Sequence, residues 1–274
     1  MPDPIEQPQT LEGHYVLHDV YSISWPYWQS LSPVERDAIA TEAAGWLSDE
    51  AGVGQIHTAL YSMIGHKGEL MLIHYRKNVD AINRTERAWK RLRLFNYLRP
   101  AYSYFSVIEA SLYEAMAMAQ RKAGDKGLAL GSPQYQAEFE KELAKEKKVL
   151  ESRVLRTVPE QRYVCFYPMN KRRGEHVNWY ALSVDDRRAL MRGHGKVGHK
   201  YAREVTQVIG GSTGLDDWEW GVSLHANDPL SIKRLVTEMR FDPASSQYAE
   251  FGPFYFGIRQ QPDDLPMLLA GGLS

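Results

Sequence analysis

Four short stretches of this chain carry residues whose types and spacing could do chemistry. Along Tyr163 to Lys171 the two-residue period of a strand puts Tyr163, Cys165, Tyr167, Met169 and Lys171 on one face. A wholly buried face would not end in lysine, and a solvated one would not carry Cys and Met. Such a face suits a cavity that is apolar at one end and anion-binding at the other; it also suits a strand running from core to rim. In 183–202, Leu190, Met191, His194, Val197 and Tyr201 share one helical stripe, so His194 points where leucines point. Gly193 and Gly195 flank it, and glycine is costly inside a helix. Their missing side chains would let a flat ligand approach an axial imidazole, as a haem plane does; the competing reading is a satisfied core histidine beside a kink. Gln207 shares a face with Val205 and Ile209, where a lone amide needs a partner, either a neighbouring backbone or a ligand. Gly211 to Trp220 reads as a tight turn followed by core tryptophans.

Other chemistries are excluded or lack a signature. The spacing G-x-x-x-x-G-K-[ST] is absent, as are H-E-x-x-H and G-x-S-x-G. His194 and His199 lie five apart, on different sides of a helix, so no hydrolytic zinc site is expected. The single cysteine, Cys165, cannot build a disulfide framework and has no activating neighbours in its motif. With 33 Lys+Arg against 34 Asp+Glu the formal charge is −1, which argues against nucleic acid as the main partner. No run reaches the roughly 18 apolar residues of a membrane helix, and the start Met1-Pro2-Asp3-Pro4 is wrong for a secretory signal. The expectation is a soluble, cytoplasmic protein.

The elements that must position these residues form a repeated order. Residues 1–13 read as a loose tail and Tyr15 to Trp25 as a strand. Ser32-Pro33-Val34-Glu35 has the N-cap, first-turn proline and third-position acid of a capping box opening a helix to about Asp49. Strands are expected near 57–64 and 69–77, a helix over 79–95, and a strand from Ala101 to Ser111. The order then returns: a strand over 162–171, a helix opened by Ser183 with Asp186 as its acid, strands over 203–211 and 217–225, a helix over 228–240 and a strand over 252–259. Ser32 and Ser183 lie 151 positions apart. The pattern predicts an α+β fold of two tandem ferredoxin-like halves, 1–113 and 151–274. Between them, 114–150 is rich in Ala, Lys and Glu and reads as a solvated insertion of two exposed helices, broken at Gly131-Ser132-Pro133.

Taken together, several motifs resemble coproheme decarboxylase, the haem-forming branch of the chlorite-dismutase-like superfamily. They are Tyr167-Pro168-Met169-Asn170-Lys171, Asn178-Trp179-Tyr180, Met191-Arg192-Gly193-His194-Gly195, Gln207 with Gly211-Ser212, Gly214 to Val222, Glu238 to Asp242 and Glu250 to Tyr255. The match is dense over about 160–258, weaker over 15–111 and absent in the insertion. The resemblance implies the dimeric α+β barrel type of fold, a homopentameric ring, and hydrogen-peroxide-dependent decarboxylation of two propionates of iron coproporphyrin III to haem b. It implies His194 as axial iron ligand, Tyr167 as the radical-forming residue, Lys171 as propionate contact or proton source, and Gln207 as distal residue. Arg153, Met169, Trp179, Arg240 and Ser245 fall where that family lines the porphyrin or holds carboxylates. Contact with ferrochelatase is a further implied possibility. Chlorite dismutases carry arginine at the position of Gln207 and lack the Tyr167 pattern; a haem peroxidase and a non-catalytic haem carrier are the other readings. His199 stands where the family commonly has arginine.

Overall fold

The computed structural model describes residues 9–51 and 57–271. The first half runs β1 (Thr10–Ile23), α1 (Trp25–Gln29), α2 (Pro33–Glu50), β2 (Thr58–Ile64), β3 (Leu70–Arg76), α3 (Val79–Trp89) and β4 (Leu98–Ser111). The helical connection is α4 (Tyr113–Gly124) and α5 (Pro133–Val154). The second half runs β5 (Tyr163–Lys171), α6 (Val184–Lys200), β6 (Val205–Gly211), β7 (Trp220–Ala226), α7 (Pro229–Met239), α8 (Pro243–Ser246), β8 (Ala249–Phe251) and β9 (Tyr255–Gln260), with α9 (Leu265–Leu269) at the end.

Strands of the first half lie in the order β4-β1-β3-β2, and those of the second in the equivalent order β9-β5-β7-β6. All neighbours are antiparallel. β2 pairs with β9 and β4 with β6, so the two sheets close into one barrel with no free edge. The expected α+β fold of two ferredoxin-like halves is therefore the fold observed. β8 hangs outside the closed ring, paired with the last residues of β5.

Local chemistry explains the helices. Ser32 and Glu35 form both bonds of the capping box, and Ser183 accepts the Asp186 N–H at the start of α6. Several boundaries differ from the sequence reading. Thr10 to Gly13 join β1 instead of a tail, because β4 offers ladder partners from Ser111 inward; residues 1–8 of that tail lie outside the description. Trp25 begins a helix, since Pro26 at its first turn cannot continue a ladder. α3 stops at Trp89, and a 3-10 turn over Arg93–Tyr97 leads directly into β4. The insertion forms the two helices expected, exposed over most of their length. Ala115, Ala119 and Ala123 form a small-residue stripe that lets α4 approach closely, and α5 packs on β1 and β4 and continues to Val154. α9, from the far end of the chain, packs on α2.

The barrel interior is aromatic: Tyr61, Tyr75, Tyr104, Phe166 and Tyr255 fill it with Val16, Val20 and Ile73. His18 of β1 stacks on Phe166 at 4.0 Å and bonds Ser223 of β7 through Nε2 at 2.9 Å, a polar link between the halves. Outside, the two halves differ. The first-half sheet is covered by Ile39, Ala40, Ala43, Ala44 and Leu47 of α2 together with Trp28, Trp89 and Leu94. In the second half only Arg187 of α6 is buried, and α6 packs chiefly on α7 and α8. The outer face of β5, β6 and β7 is covered instead by α7, whose Ile232 and Leu235 are buried against Val205, Val222 and Leu224.

Three buried histidines make the fold acid-sensitive. Burial pushes the pKa of His18, His74 and His225 down from 6.5 to about 3. Below pH 6.5 the unfolded chain takes up protons that the folded one refuses, so stability falls as pH falls through the window from 6.5 to 3. Between pH 7.5 and 5.5 we expect a loss of about 4 kcal/mol from the three together, read from urea midpoints. A flat profile over that interval would show that these imidazoles titrate normally.

Candidate functional site

Strand alternation and helix phase place the chemistry-bearing residues on the outer face of the second half. Cys165 and Tyr167 of β5 lie in the apolar cluster with Val205, Val222 and Leu224, with Met169 and Ile209 at its margin. Tyr167 is buried and stacks on Phe254 at 4.4 Å; Phe251 is tilted against it at 5.8 Å. Burial pushes its phenol well up, so it stays protonated at neutral pH. The Cys165 thiol is likewise pushed up, to about 12, and is a packing residue.

Lys171, at the end of the same strand face, donates from Nζ to the Ala244 carbonyl at 2.9 Å, and its ammonium lies 4.2 Å from the Trp179 ring centroid. Burial pulls its pKa down to about 8, opposed by the charges of Asp242 and Glu219. It therefore holds a proton at pH 7 that it can give up easily. Trp179 is buried and meets Tyr248 edge-on at 5.5 Å. Arg240, just past α7, is exposed; its guanidinium lies 3.8 Å from the Phe251 ring and 5.8 Å from that of Phe254.

His194 lies on the inward side of α6 and remains partly open, its side chain 32% exposed. Its Nδ1 sits 2.8 Å from Asp242 Oδ2, with Ser245 Oγ at 3.5 Å. An ionised carboxylate only accepts, so Nδ1 carries the hydrogen and donates it; in the neutral imidazole this tautomer leaves the lone pair on Nε2. This is the arrangement in which a carboxylate orients a metal-ligating imidazole. Asp242 is 3% exposed in its side chain and also caps α8 by accepting the Ser245 N–H. Ser245 is buried beside it. A cleft of about 410 Å3 opens between α6 and α8 beside this pair, lined by Leu182, Leu190, Gly193, Asp242, Pro243 and Tyr248. A second cleft, about 450 Å3, lies at Arg156 to Gln161 and Asn227 and holds none of the expected site residues.

The two glycines beside His194 behave differently from expectation. A side chain at Gly195 would meet nothing, and one at Gly193 would meet only Asp242 Oδ1, at an ordinary 3.7 Å. The tight position is Gly198, where a Cβ would come within 3.2 Å of Gln207 Nε2. Gln207 thus lies against α6 one turn beyond His194. Arg153 is exposed in the last turn of α5, whose packing partners α4, β1 and β4 are not those of the cluster. Tyr167, Met169, Lys171, Trp179, Gln207 and His194, with Arg240 and Ser245, all lie on second-half elements.

Sequence reasoning missed Asp242 as a functional group. Its signal was present, since Asp-Pro at a helix start reads as N-cap and first-turn proline. Phe251 and Phe254, which wall Tyr167, carried no chemical signal.

Among the described residues no group of three or more His, Cys, Asp and Glu is placed to hold a metal ion. A single oriented imidazole beside an apolar face fits a metal that brings its other ligands in a macrocycle. The lysine and arginine on that face suit a macrocycle bearing carboxylates.

The closed barrel of two ferredoxin-like halves, with a helix-borne imidazole over one outer face, defines an α+β barrel protein with one specialised half. Residues 36–260 match the family described as chlorite dismutase, and the chain belongs to that family. A protein of Haloarcula marismortui named "Putative heme-binding protein" is 39% identical over 98% of this chain, and one of Natronomonas pharaonis with the same kind of name is 37% identical over 97%. The chain spans 38% and 42% of the lengths of those two relatives. A solved structure described as a novel heme-binding protein from Thermus thermophilus is 36% identical, with TM-score 0.80, covering 97% of this chain and 98% of that one. A chlorite dismutase variant from Candidatus Nitrospira defluvii, 19% identical with TM-score 0.71 over 94% of this chain and 96% of that one, shares the fold. No described helix is long and apolar enough to cross a membrane.

Asp242→Ala removes a helix cap and a charged acceptor for His194 at once. We expect a loss of about 2 kcal/mol in urea unfolding. Asp242→Asn, which keeps the cap, should lose less.

Proposed function

We propose that this chain binds iron coproporphyrin III through His194 and decarboxylates two of its propionates with hydrogen peroxide, yielding haem b at the end of a coproporphyrin-dependent route. The observation that carries the reading is that β5 presents an oxidisable phenol, Tyr167, and an easily deprotonated lysine, Lys171, on the face that α6 overhangs with His194. The names of the relatives agree with a haem-type ligand.

In this reading, the bound iron porphyrin and hydrogen peroxide together supply the oxidising power. His194 is held by Asp242 with Nε2 free to ligate. Tyr167, neutral in its apolar wall of Phe251 and Phe254, gives up a hydrogen atom and regains one from the propionate β-carbon, the carbon bonded to the macrocycle. Each propionate loses that hydrogen and carbon dioxide to become a vinyl group. Two electrons pass to hydrogen peroxide, and one further proton is consumed as two waters form. Lys171 provides that proton, having a pKa near neutral. Arg240 and Lys171 pair with propionates, and Met169, Trp179 and Ser245 line the macrocycle. Gln207 would stand on the distal side once the macrocycle parts it from α6, an uncharged amide where arginine would favour chlorite chemistry. Arg153 reaches a propionate only if the end of α5 moves toward the site. Loss of two carboxylates loosens the product. The competing reading, a haem carrier, draws on the same relatives' names, and a carrier has no use for an oxidisable phenol in that wall.

The test loads apo-protein with iron coproporphyrin, adds hydrogen peroxide without oxygen, and follows porphyrin mass. Two successive losses of about 46 Da, each one carbon dioxide and two hydrogens, are expected. Unchanged porphyrin would leave a carrier, and oxygen release from chlorite would leave a dismutase. Tyr167→Phe should bind with an unaltered Soret band yet slow decarboxylation by at least about 100-fold; a normal yield of haem b removes Tyr167 from its role. His194→Ala should change the iron spectrum. The parent's turnover should fall as pH rises through about 8, where Lys171 loses its proton.

A further inference from the structure

Glu219 is a buried acid that the proposed decarboxylation does not use. It is 6% exposed and directly precedes β7, where the β5–β7 ladder has just ended at Met169 opposite Trp220. Its backbone is fixed on both sides: its N–H donates to Asn170 Oδ1 at 2.8 Å, and its carbonyl accepts the Ser212 N–H at 2.8 Å. The carboxylate turns back toward β5. Oε2 accepts the Lys171 backbone N–H at 2.9 Å, and Oε1 lies 3.7 Å from Arg173 Nε. The Tyr180 hydroxyl bonds the same carboxylate; burial first, and then this acid, push that phenol up.

One carboxylate therefore holds the strand end and both shoulders of the loop over 172–180. The loop is a small hairpin, closed by a bridge between Arg173 and Asn178 and by the Gly174 N–H on the Val177 carbonyl at 2.9 Å. It carries Trp179, whose ring covers the Lys171 ammonium. The charged groups facing that ammonium are Asp242, from the α8 side, and Glu219, from the β7 side.

We infer that Glu219 is the positioning residue for Lys171. It clamps the 172–180 loop onto the end of β5, keeps Trp179 over the ammonium, and so aims Lys171 at the carboxylate-bearing edge of a bound porphyrin. The aim toward porphyrin rests on the decarboxylase reading, whereas the clamp belongs to the chain alone. Removing the negative charge while keeping the shape should free the loop and make Lys171 easier to deprotonate.

The experiment compares Glu219→Gln and Glu219→Asp with the parent, using the full chain with 13C-labelled lysine. The Lys171 signal is assigned by its loss in Lys171→Arg. In Glu219→Gln the Lys171 titration midpoint should move down by about half a pH unit or more. The amides of Lys171 and of 172–180 should exchange faster, with unchanged circular dichroism. Glu219→Asp should restore the midpoint in part. With iron coproporphyrin and peroxide, kcat should fall about tenfold while KM changes less than about twofold. A folded Glu219→Gln protein with an unmoved midpoint and parental exchange overturns the clamp. Should Glu219→Gln not fold, Arg173→Ala combined with Tyr180→Phe removes the loop's side of the clamp and faces the same two readouts. Failure of the parent to bind iron coproporphyrin would sink the decarboxylase reading and leave the resonance and exchange measurements to decide the clamp.

Discussion

The second half is organised around one buried carboxylate. Asp242 sits at the start of a single-turn helix with almost no contact with water, where an unpaired charge would be prohibitive. It is satisfied by the Ser245 N–H, by the Nδ1–H of His194, and by the field of Lys171. Each partner comes from a different element. The acid that caps α8 therefore also sets the tautomer and direction of the imidazole on α6. Lys171 closes the group by bonding the Ala244 carbonyl within the same short helix. Moving any one of these groups exposes the others' charges.

The closed barrel is what makes this local group rigid. Both halves contribute strands to a ring without edges, and His18 and Ser223 join them through the interior. Covering of the outer faces then distinguishes the halves. In the first, α2 supplies Ile39, Ala43 and Leu47, and tryptophans fill what remains. In the second, α6 buries only Arg187 and comes close to the sheet at Gly198, beside Gln207 of β6. The two halves thus share strand order but differ in which helix covers the outer face.

Electrostatics in that second half run in one direction. Tyr167 is kept neutral, Lys171 is kept charged but weakly so, and the neighbouring carboxylates are consumed by hydrogen bonds. Arg240 rests on the rings of Phe251 and Phe254, the same rings that wall Tyr167.

Read alone, the chain already specifies much of this. Period-two and period-3.6 patterns, two serine-capped helices 151 positions apart, and the matching order of elements are enough for the duplicated ferredoxin-like fold, because those signals are local and repeated. Alternation along β5 likewise puts Tyr167 and Lys171 on one face without any tertiary information. What only the three-dimensional arrangement decided were contacts between residues far apart in sequence: the closure of β5 on β7, Asp242 on His194, Glu219 on Lys171, and Phe254 on Tyr167. No periodicity encodes such pairs, since they arise where loops of different length deliver side chains to the same point. The glycines beside His194 show the same limit. Their spacing suggested room for a ligand, yet the close approach to a neighbouring strand falls at Gly198, which only the crossing of α6 over β6 could select.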